Sequence, residues 1–316
     1  MSFTDLSLSV LLSNLVGLFL LIGAGFLAAR SGVLPAAASG HLTTLVLKIT
    51  MPATIFASMI RPFEPDFIRD ALVTFGLGMI LISGYALISW LLLRPLSVPR
   101  GRRGMWMTCT TFCNNGFMGF PVAYALFGDD GLALAVMLSV SFNVLVFSLG
   151  AGMVILDQPE GSRASKLSWG KAVFSGVNLA TLLGLLFYCC QLPVPTAIMT
   201  PIQHLSNVTT PVSMFVTGMN LAKDRLTDVV RDRDAVTASL TRLLLLPVLT
   251  WALLRGLPIA NPLVVGVVLL IMSMPSPAVA VVMGEQYDGC VELGGRTVFL
   301  SSLLCIVTIP LISMFP

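Results

Sequence analysis

Charge is what this chain has least of. Asp, Glu, Lys and Arg make up 10% of its 316 residues, against 56% hydrophobic residues, and the mean hydropathy is +0.93. A water-soluble domain carries about 25% charged residues. This composition therefore excludes a chain covered by polar side chains and leaves apolar surface to face lipid. Histidine is nearly absent, at two residues. Neither His-Glu-x-x-His nor Gly-x-Ser-x-Gly occurs, so a zinc hydrolase or a serine hydrolase has little to be built from. There is no Walker-type loop, and hence no sign of an ATPase. No basic residue precedes Arg30, so "MSFTDLSLSV" lacks the charged start of a cleaved signal peptide and the first apolar run is expected to be retained. Six cysteines are present, at 109, 113, 189, 190, 290 and 305. Most lie in apolar runs, and no second ligand pair completes the Cys109 and Cys113 spacing. They read as small buried hydrophobes, and no metal or other cofactor is expected.

What the chain does have is apolar runs of membrane-crossing length, about 20 residues each. They predict ten helices, at 7–29, 40–60, 71–93, 104–127, 131–156, 172–191, 198–221, 236–255, 261–284 and 292–314. One set of alternate loops holds Arg30; Arg94, Arg100, Arg102 and Arg103; Arg163, Lys166 and Lys171; Lys223, Arg225, Arg231 and Arg233; and Arg296. The other holds only Arg61, Arg69 and Arg255. Positive charge marks the cytoplasmic side, so both termini are expected outside a cell inner (plasma) membrane. "RPLSVPRGRR" and "KDRLTDVVRDRD" then read as solvated cytoplasmic loops, and nucleic acid is not an expected partner.

Ten spans divide into halves of five, 1–156 and 172–316, joined by a cytoplasmic loop at 157–171. Because five is odd, similar halves must be inverted with respect to each other. "ITMPATIFASM" in the second span resembles "VTTPVSMFVTG" in the seventh, aligning Pro52 with Pro211, 159 residues apart. "FMGFPVA" in the fourth resembles "SMPSPAV" in the ninth, aligning Pro121 with Pro277 at a shift of 156. The turns Asp130-Gly131 and Asp288-Gly289 follow at a shift of 158.

The fourth span carries "NNGFMGFP" in its middle. Proline and glycine both weaken a helix there, and freed backbone groups at that depth are tolerated only against protein or a polar cavity. "SMPSPA" interrupts the ninth span at the matching depth. Two matched breaks point to a transport site made where the broken helices meet. Each second half-helix starts there with unpaired N–H groups and a positive dipole end, which favours a carboxylate. Asn114, Asn115, Gly119, Ser273 and Ser276 are the candidate binding residues, with Pro121, Pro275 and Pro277 setting the breaks.

At these residues the sequence resembles the auxin efflux carrier family, which includes plant PIN proteins and bacterial carriers of malate or malonate. The resemblance rests on Asn114 with "GFMGFP", on "MPSPAVA" and on "LKITMPATIF", and extends over essentially the whole chain. It implies an all-helical carrier of ten transmembrane helices, with broken, crossing helices four and nine. The crossover core moves against a scaffold of helices one, two, six and seven that mediates a homodimer. It also implies a substrate-binding role for Asn114 and a supporting role for Lys48, four residues before Pro52. Asp70 matches the family's aspartate only with a one-residue slip, and Asn178 resembles a further family position.

Three other polar positions stand out. Lys48 lies well inside the second span, where a charge is costly. His204 in the seventh has the chemistry of a proton relay. Arg242 reads as an anchor reaching back to the cytoplasmic surface. The leading expectation is a secondary carrier of a small mono- or dicarboxylate. A sodium-coupled organic-anion symporter of the bile-acid-carrier type and a non-transporting membrane receptor are the alternatives.

Overall fold

A computed structural model describes residues 8–35, 37–157, 176–222 and 226–313. All regular structure among these residues is helical. The helices are α1 (Leu8–Arg30), α2 (Ala38–Leu45), α3 (Met51–Met59), α4 (Pro65–Leu92), α5 (Arg103–Thr111), α6 (Phe120–Leu145), α7 (Ala151–Leu156), α8 (Gly176–Cys190), α9 (Thr196–Leu221), α10 (Leu226–Arg231), α11 (Arg233–Leu240), α12 (Leu246–Gly256), α13 (Pro262–Met272), α14 (Val279–Gln286) and α15 (Val291–Ser313). Five continuous stretches are long and apolar enough to cross a membrane: Ala38–Met59, Pro65–Leu92, Arg103–Ile155, Arg233–Gly256 and Val291–Ile312. Val16–Arg30, Leu179–Cys190 and Pro262–Met272 are shorter apolar helices.

The faces of α4 show which solvent the fold was built for. Leu72, Ile80, Leu87 and Leu91 are exposed, while Asp70, Thr74, Tyr85 and Ser89 are buried. Polar groups inside and leucines outside is the pattern of a helix whose outer face meets hydrocarbon. The buried groups are satisfied in place. Thr74 Oγ1 donates to the Asp70 carbonyl at 2.7 Å, Tyr85 to the Leu246 carbonyl at 3.0 Å, and Thr110 to Ser89 Oγ at 2.9 Å.

Short π turns join several helices, at Val46–Thr50, Asn115–Gly119, Val146–Gly150 and Thr241–Leu245. Three of them run directly into a helix with proline at its second position: Pro52, Pro121 and Pro247. A proline ring clashes with the carbonyl four residues back and cannot donate to it. A wider turn in the preceding five residues absorbs that clash, and such turns are frequent at functional sites. Lys48, Asn115 and Arg242 all lie in these turns.

The stretch Arg103–Ile155 is 53 residues long, which as one straight helix would span about 80 Å, far more than the roughly 30 Å of a bilayer core. It is broken twice. The first break is at Phe112–Asn114, where Phe112 is extended (φ −96, ψ 157) and Asn114 has φ −80, ψ 67. The second is at Gly128, with φ 65 and ψ −155, a conformation closed to residues with a side chain. The chain turns back there, with Asp129 and Asp130 at the tip.

Close packing fixes the helix pairs. α1 lies against α9 so tightly that a Cβ on Gly218 would sit 1.9 Å from the Ile22 carbonyl oxygen, and one on Gly25 2.0 Å from that of Phe215. Small residues at such crossings let helix backbones approach. α3 packs on α8 and α9, while α6 packs on α4 and α13, and α11 on α15.

Candidate functional site

The two breaks meet. The Asn114 N–H donates to the Pro275 carbonyl at 2.7 Å, and the Gly119 N–H closes back onto the Asn114 carbonyl at 3.0 Å. Ser276 Oγ donates to the Cys109 carbonyl at 2.8 Å, and the Ser276 N–H to Ser301 Oγ at 3.0 Å. Gly119 allows the approach: a Cβ there would lie 2.8 Å from Ile271 Cδ1. Asn114, Asn115, Gly119, Pro121, Ser273, Pro275, Ser276 and Pro277 are all buried. The bonds Asn114–Pro275 and Ser276–Cys109 therefore bring the two breaks into direct contact.

Their side chains play different parts. Ser273 Oγ donates to the Leu269 carbonyl of its own helix at 2.6 Å. With Ser276 bonded to Cys109, both hydroxyl protons are used within the crossover. Asn115 is different. It is 7% exposed, and its Nδ2 is buried with no hydrogen-bond partner among the described residues. A buried amide without a partner costs about 1–3 kcal/mol, which marks this donor as the candidate for a ligand contact.

The guanidinium of Arg242 stands at the centre. It is fully buried, and Nε donates to the Met274 carbonyl at 3.0 Å and Nη2 to that of Met272 at 2.5 Å. Nη1 lies 3.3 Å from the carbonyls of both Thr110 and Thr111, and Cζ is 5.2 Å from the Tyr85 ring centre. The expectation of a surface-reaching anchor is corrected here. The helical stretch begins at Arg233, not near 236, which places Arg242 about 14 Å along it, too deep to reach the surface.

Beside the crossover lies a cavity of about 1000 Å³, walled by Leu18 and Leu21 of α1, Thr54 and Ser58 of α3, Pro121 and Tyr124 of α6, and Gln203, Asn207 and Thr210 of α9. Pro211 also lines it, and Thr54 Oγ1 and Thr209 Oγ1 bond across α3 and α9 at 2.7 Å. The rim carries Arg61, Glu64, Asp129 and Asp130. Arg61 pairs with Asp130 and lies 3.9 Å from the Phe67 ring centre.

Other expected residues fall elsewhere. Lys48 is exposed between exposed Leu47 and Ile49, while Pro52 is half-buried and His204 exposed. Asp70 is buried and accepts from Asn261 Nδ2, not from Lys48. Asn261 Oδ1 in turn caps α13 through the Leu263 N–H at 2.9 Å. Asn178 lies in α8, but its side chain is outside the described residues.

An ionic cluster joins three elements. Asp232 accepts from Arg102 at 2.6 and 2.7 Å and from Arg296 at 2.9 Å, and it caps α11. Burial raises the Asp232 pKa, but the bonds from Arg102 and Arg296 outweigh this and hold the carboxyl below its ordinary value.

Comparison with known proteins agrees with a membrane carrier. A Methanothermobacter thermautotrophicus protein named as an uncharacterized transporter is 30% identical over 319 residues, covering 99% of this chain and 98% of its own. A Methanocaldococcus jannaschii protein of the same description is 24% identical over 311 residues, covering 97% and 96%. A Rhizobium meliloti protein named "Putative malonate transporter" is 24% identical over 296 residues, covering 92% and 91%. The family described as membrane transport protein matches residues 10–313. With lipid-facing helices, paired helix breaks and that match along nearly its whole length, the chain belongs to the membrane transport protein family, the auxin efflux carrier group that its helix-four motif resembles.

Proposed function

We infer that this transporter is a secondary carrier of a small organic anion, and that its substrate is held at the crossover by alternating access. The observation that carries the reading is Asn115 Nδ2, a buried donor with no partner among the described residues, in the residue that follows the break of helix four. Pro121, six residues on, forms part of the wall of the 1000 Å³ cavity. Asn115 does not itself line that cavity; on this reading a carboxylate passes Pro121 to reach the amide donor and the amino ends of two half-helices, each favourable to negative charge. The name of the Rhizobium meliloti relative supports a short dicarboxylate such as malonate as the first to try.

The finer architecture belongs to the same proposal. Ten spans form two inverted halves, 1–156 and 172–316, with 157–171 between them and both termini outside an inner (plasma) membrane. The rim residues Arg61 and Asp129 then lie on the outer side, by the positive-inside asymmetry of the loops, and the cavity is open outward. α1, α3, α8 and α9 form the scaffold and pair with a second copy, while α5, α6, α13 and α14 form the moving core.

Calorimetric titration of purified protein with malonate tests the reading. Saturable binding that weakens at least about tenfold in Asn115→Ala is expected. Binding of malonate with the same affinity in that variant would place the substrate elsewhere.

A further inference from the structure

Arg242 and Asp70 are both buried, and they do not pair; the carboxylate of Asp70 lies 3.9 Å from the exposed Arg69. Asp70 holds Asn261 at the amino end of α13, whereas Arg242 binds the carbonyl of Met272 at its carboxyl end. The 11 residues of that helix lie between them, about 16 Å. A buried charge is kept only where something balances it. Here the balance comes from backbone. Thr110 and Thr111 are the last residues of α5, Met272 is the last of α13, and Met274 follows in the break. Helix carboxyl ends carry about half a negative charge each, so two of them match one guanidinium.

The second half-helices begin at the same crossover with their amino ends, each about half a positive charge. Without a cation at position 242, the four helix ends would nearly cancel. With Arg242 satisfying the carboxyl ends, the amino ends face no opposing charge: the Asn114 and Ser276 N–H groups are paired with neutral oxygens, and no described carboxylate is buried beside them. Asn115 Nδ2 is the unpartnered donor on that positive side.

We propose that Arg242 makes the crossover select anions, by cancelling the carboxyl ends of both broken helices and leaving their amino ends free to hold a carboxylate. This rests on the crossover being the substrate site. Arg242 is a positioning residue, acting through the local field and without touching the substrate. Its charge is the essential property; the planar fork that reaches four carbonyls adds stability, which lysine would not reproduce.

A carboxyl introduced by Asn115→Asp reports that field without any substrate. Its protonation midpoint is read from the carboxyl infrared band of the purified full chain, as a difference against the parent protein. Three proteins are compared: Asn115→Asp alone, with Arg242→Lys, and with Arg242→Gln. The midpoint is expected to agree within about half a pH unit in the first two and to rise by at least about one pH unit in the third. One charge within roughly 8–10 Å has that effect at an effective dielectric near 20. A midpoint unmoved by Arg242→Gln would overturn the proposal. So would one raised as far by Arg242→Lys, and that comparison decides alone if the glutamine variant does not fold. Failure of the crossover as substrate site would instead appear as unchanged malonate affinity in Asn115→Ala, whatever the infrared result.

Discussion

Asn115→Leu is expected to stabilise the ligand-free protein while abolishing ligand binding. Asn115 Nδ2 is buried with no partner among the described residues, a condition that costs about 1–3 kcal/mol. Leucine has similar volume and no polar atom, so the substitution should recover about 1 kcal/mol of that cost. Near the unfolding midpoint 1 kcal/mol corresponds to about 2–4 °C in a soluble chain of 150–250 residues. Ser276→Ala provides the contrast. It removes a 2.8 Å bond to the Cys109 carbonyl and leaves that carbonyl buried, so it should destabilise by about 1–3 kcal/mol. Thermal unfolding of both variants in the same detergent, with and without malonate, separates a residue held ready for ligand from one that holds the crossover together. Asn115→Leu should melt higher without ligand and lose its malonate-induced rise; Ser276→Ala should melt lower and keep it. If Asn115→Leu destabilised the protein as much as Ser276→Ala, the amide would be a packing group and the inference from its lack of a partner would fail.

Other expected outcomes follow from the same geometry. Gly218→Ala should lower thermal stability by more than the 1–3 kcal/mol typical of overpacking, because its Cβ would meet backbone at 1.9 Å; a melting point within error of the parent would show that α1 and α9 are free to separate. Lys48→Ala should leave malonate affinity within about twofold, since the exposed side chain does not enter the cluster; a tenfold loss by calorimetry would show that Lys48 turns inward in another state. Asp232→Asn should destabilise at neutral pH, where two arginines hold the carboxylate. The folded pKa of Asp232 is depressed, so its contribution is present above the ordinary carboxylate value near 4 and is lost as pH falls through the lower folded value. Unfolding curves of parent and variant should therefore converge in strong acid, and a constant gap down to that range would refute the assignment.

Several helices were legible from the length of their apolar runs. α9 occupies 196–221 where 198–221 was expected, and α15 occupies 291–313 where 292–314 was expected. α4 begins six residues before its expected start at 71, because Glu64-Pro65 opens a helix whose first turn carries Asp66 and is too polar for a hydropathy window. The crossover was legible because proline and glycine disrupt the ladder wherever they fall in a helix, and Asn114, Gly119 and Pro275 do come together. Arg242 was misread for a physical reason. Its depth depends on where the helix starts, and its partners are backbone carbonyls from two helices remote in sequence, which no residue pattern announces. Its one visible sign was an arginine beside the apolar run "LLLLPVL". Ser273 and Ser276 showed the opposite difficulty. Their type suggested ligand contacts, but folding turns both hydroxyls onto backbone carbonyls.

Counterflow is the most direct measurement of whether a carboxylate crosses the membrane at this crossover. Purified protein in proteoliposomes loaded with unlabelled malonate should accumulate labelled malonate transiently. Asn114→Ala and Asn115→Ala, reconstituted in equal amount, should each be reduced by at least about tenfold at subsaturating label, the loss given by one charge-assisted bond of about 1.5–3 kcal/mol. Counterflow of equal size in both variants, or uptake indifferent to internal malonate in the parent protein, would contradict a substrate site between the broken helices.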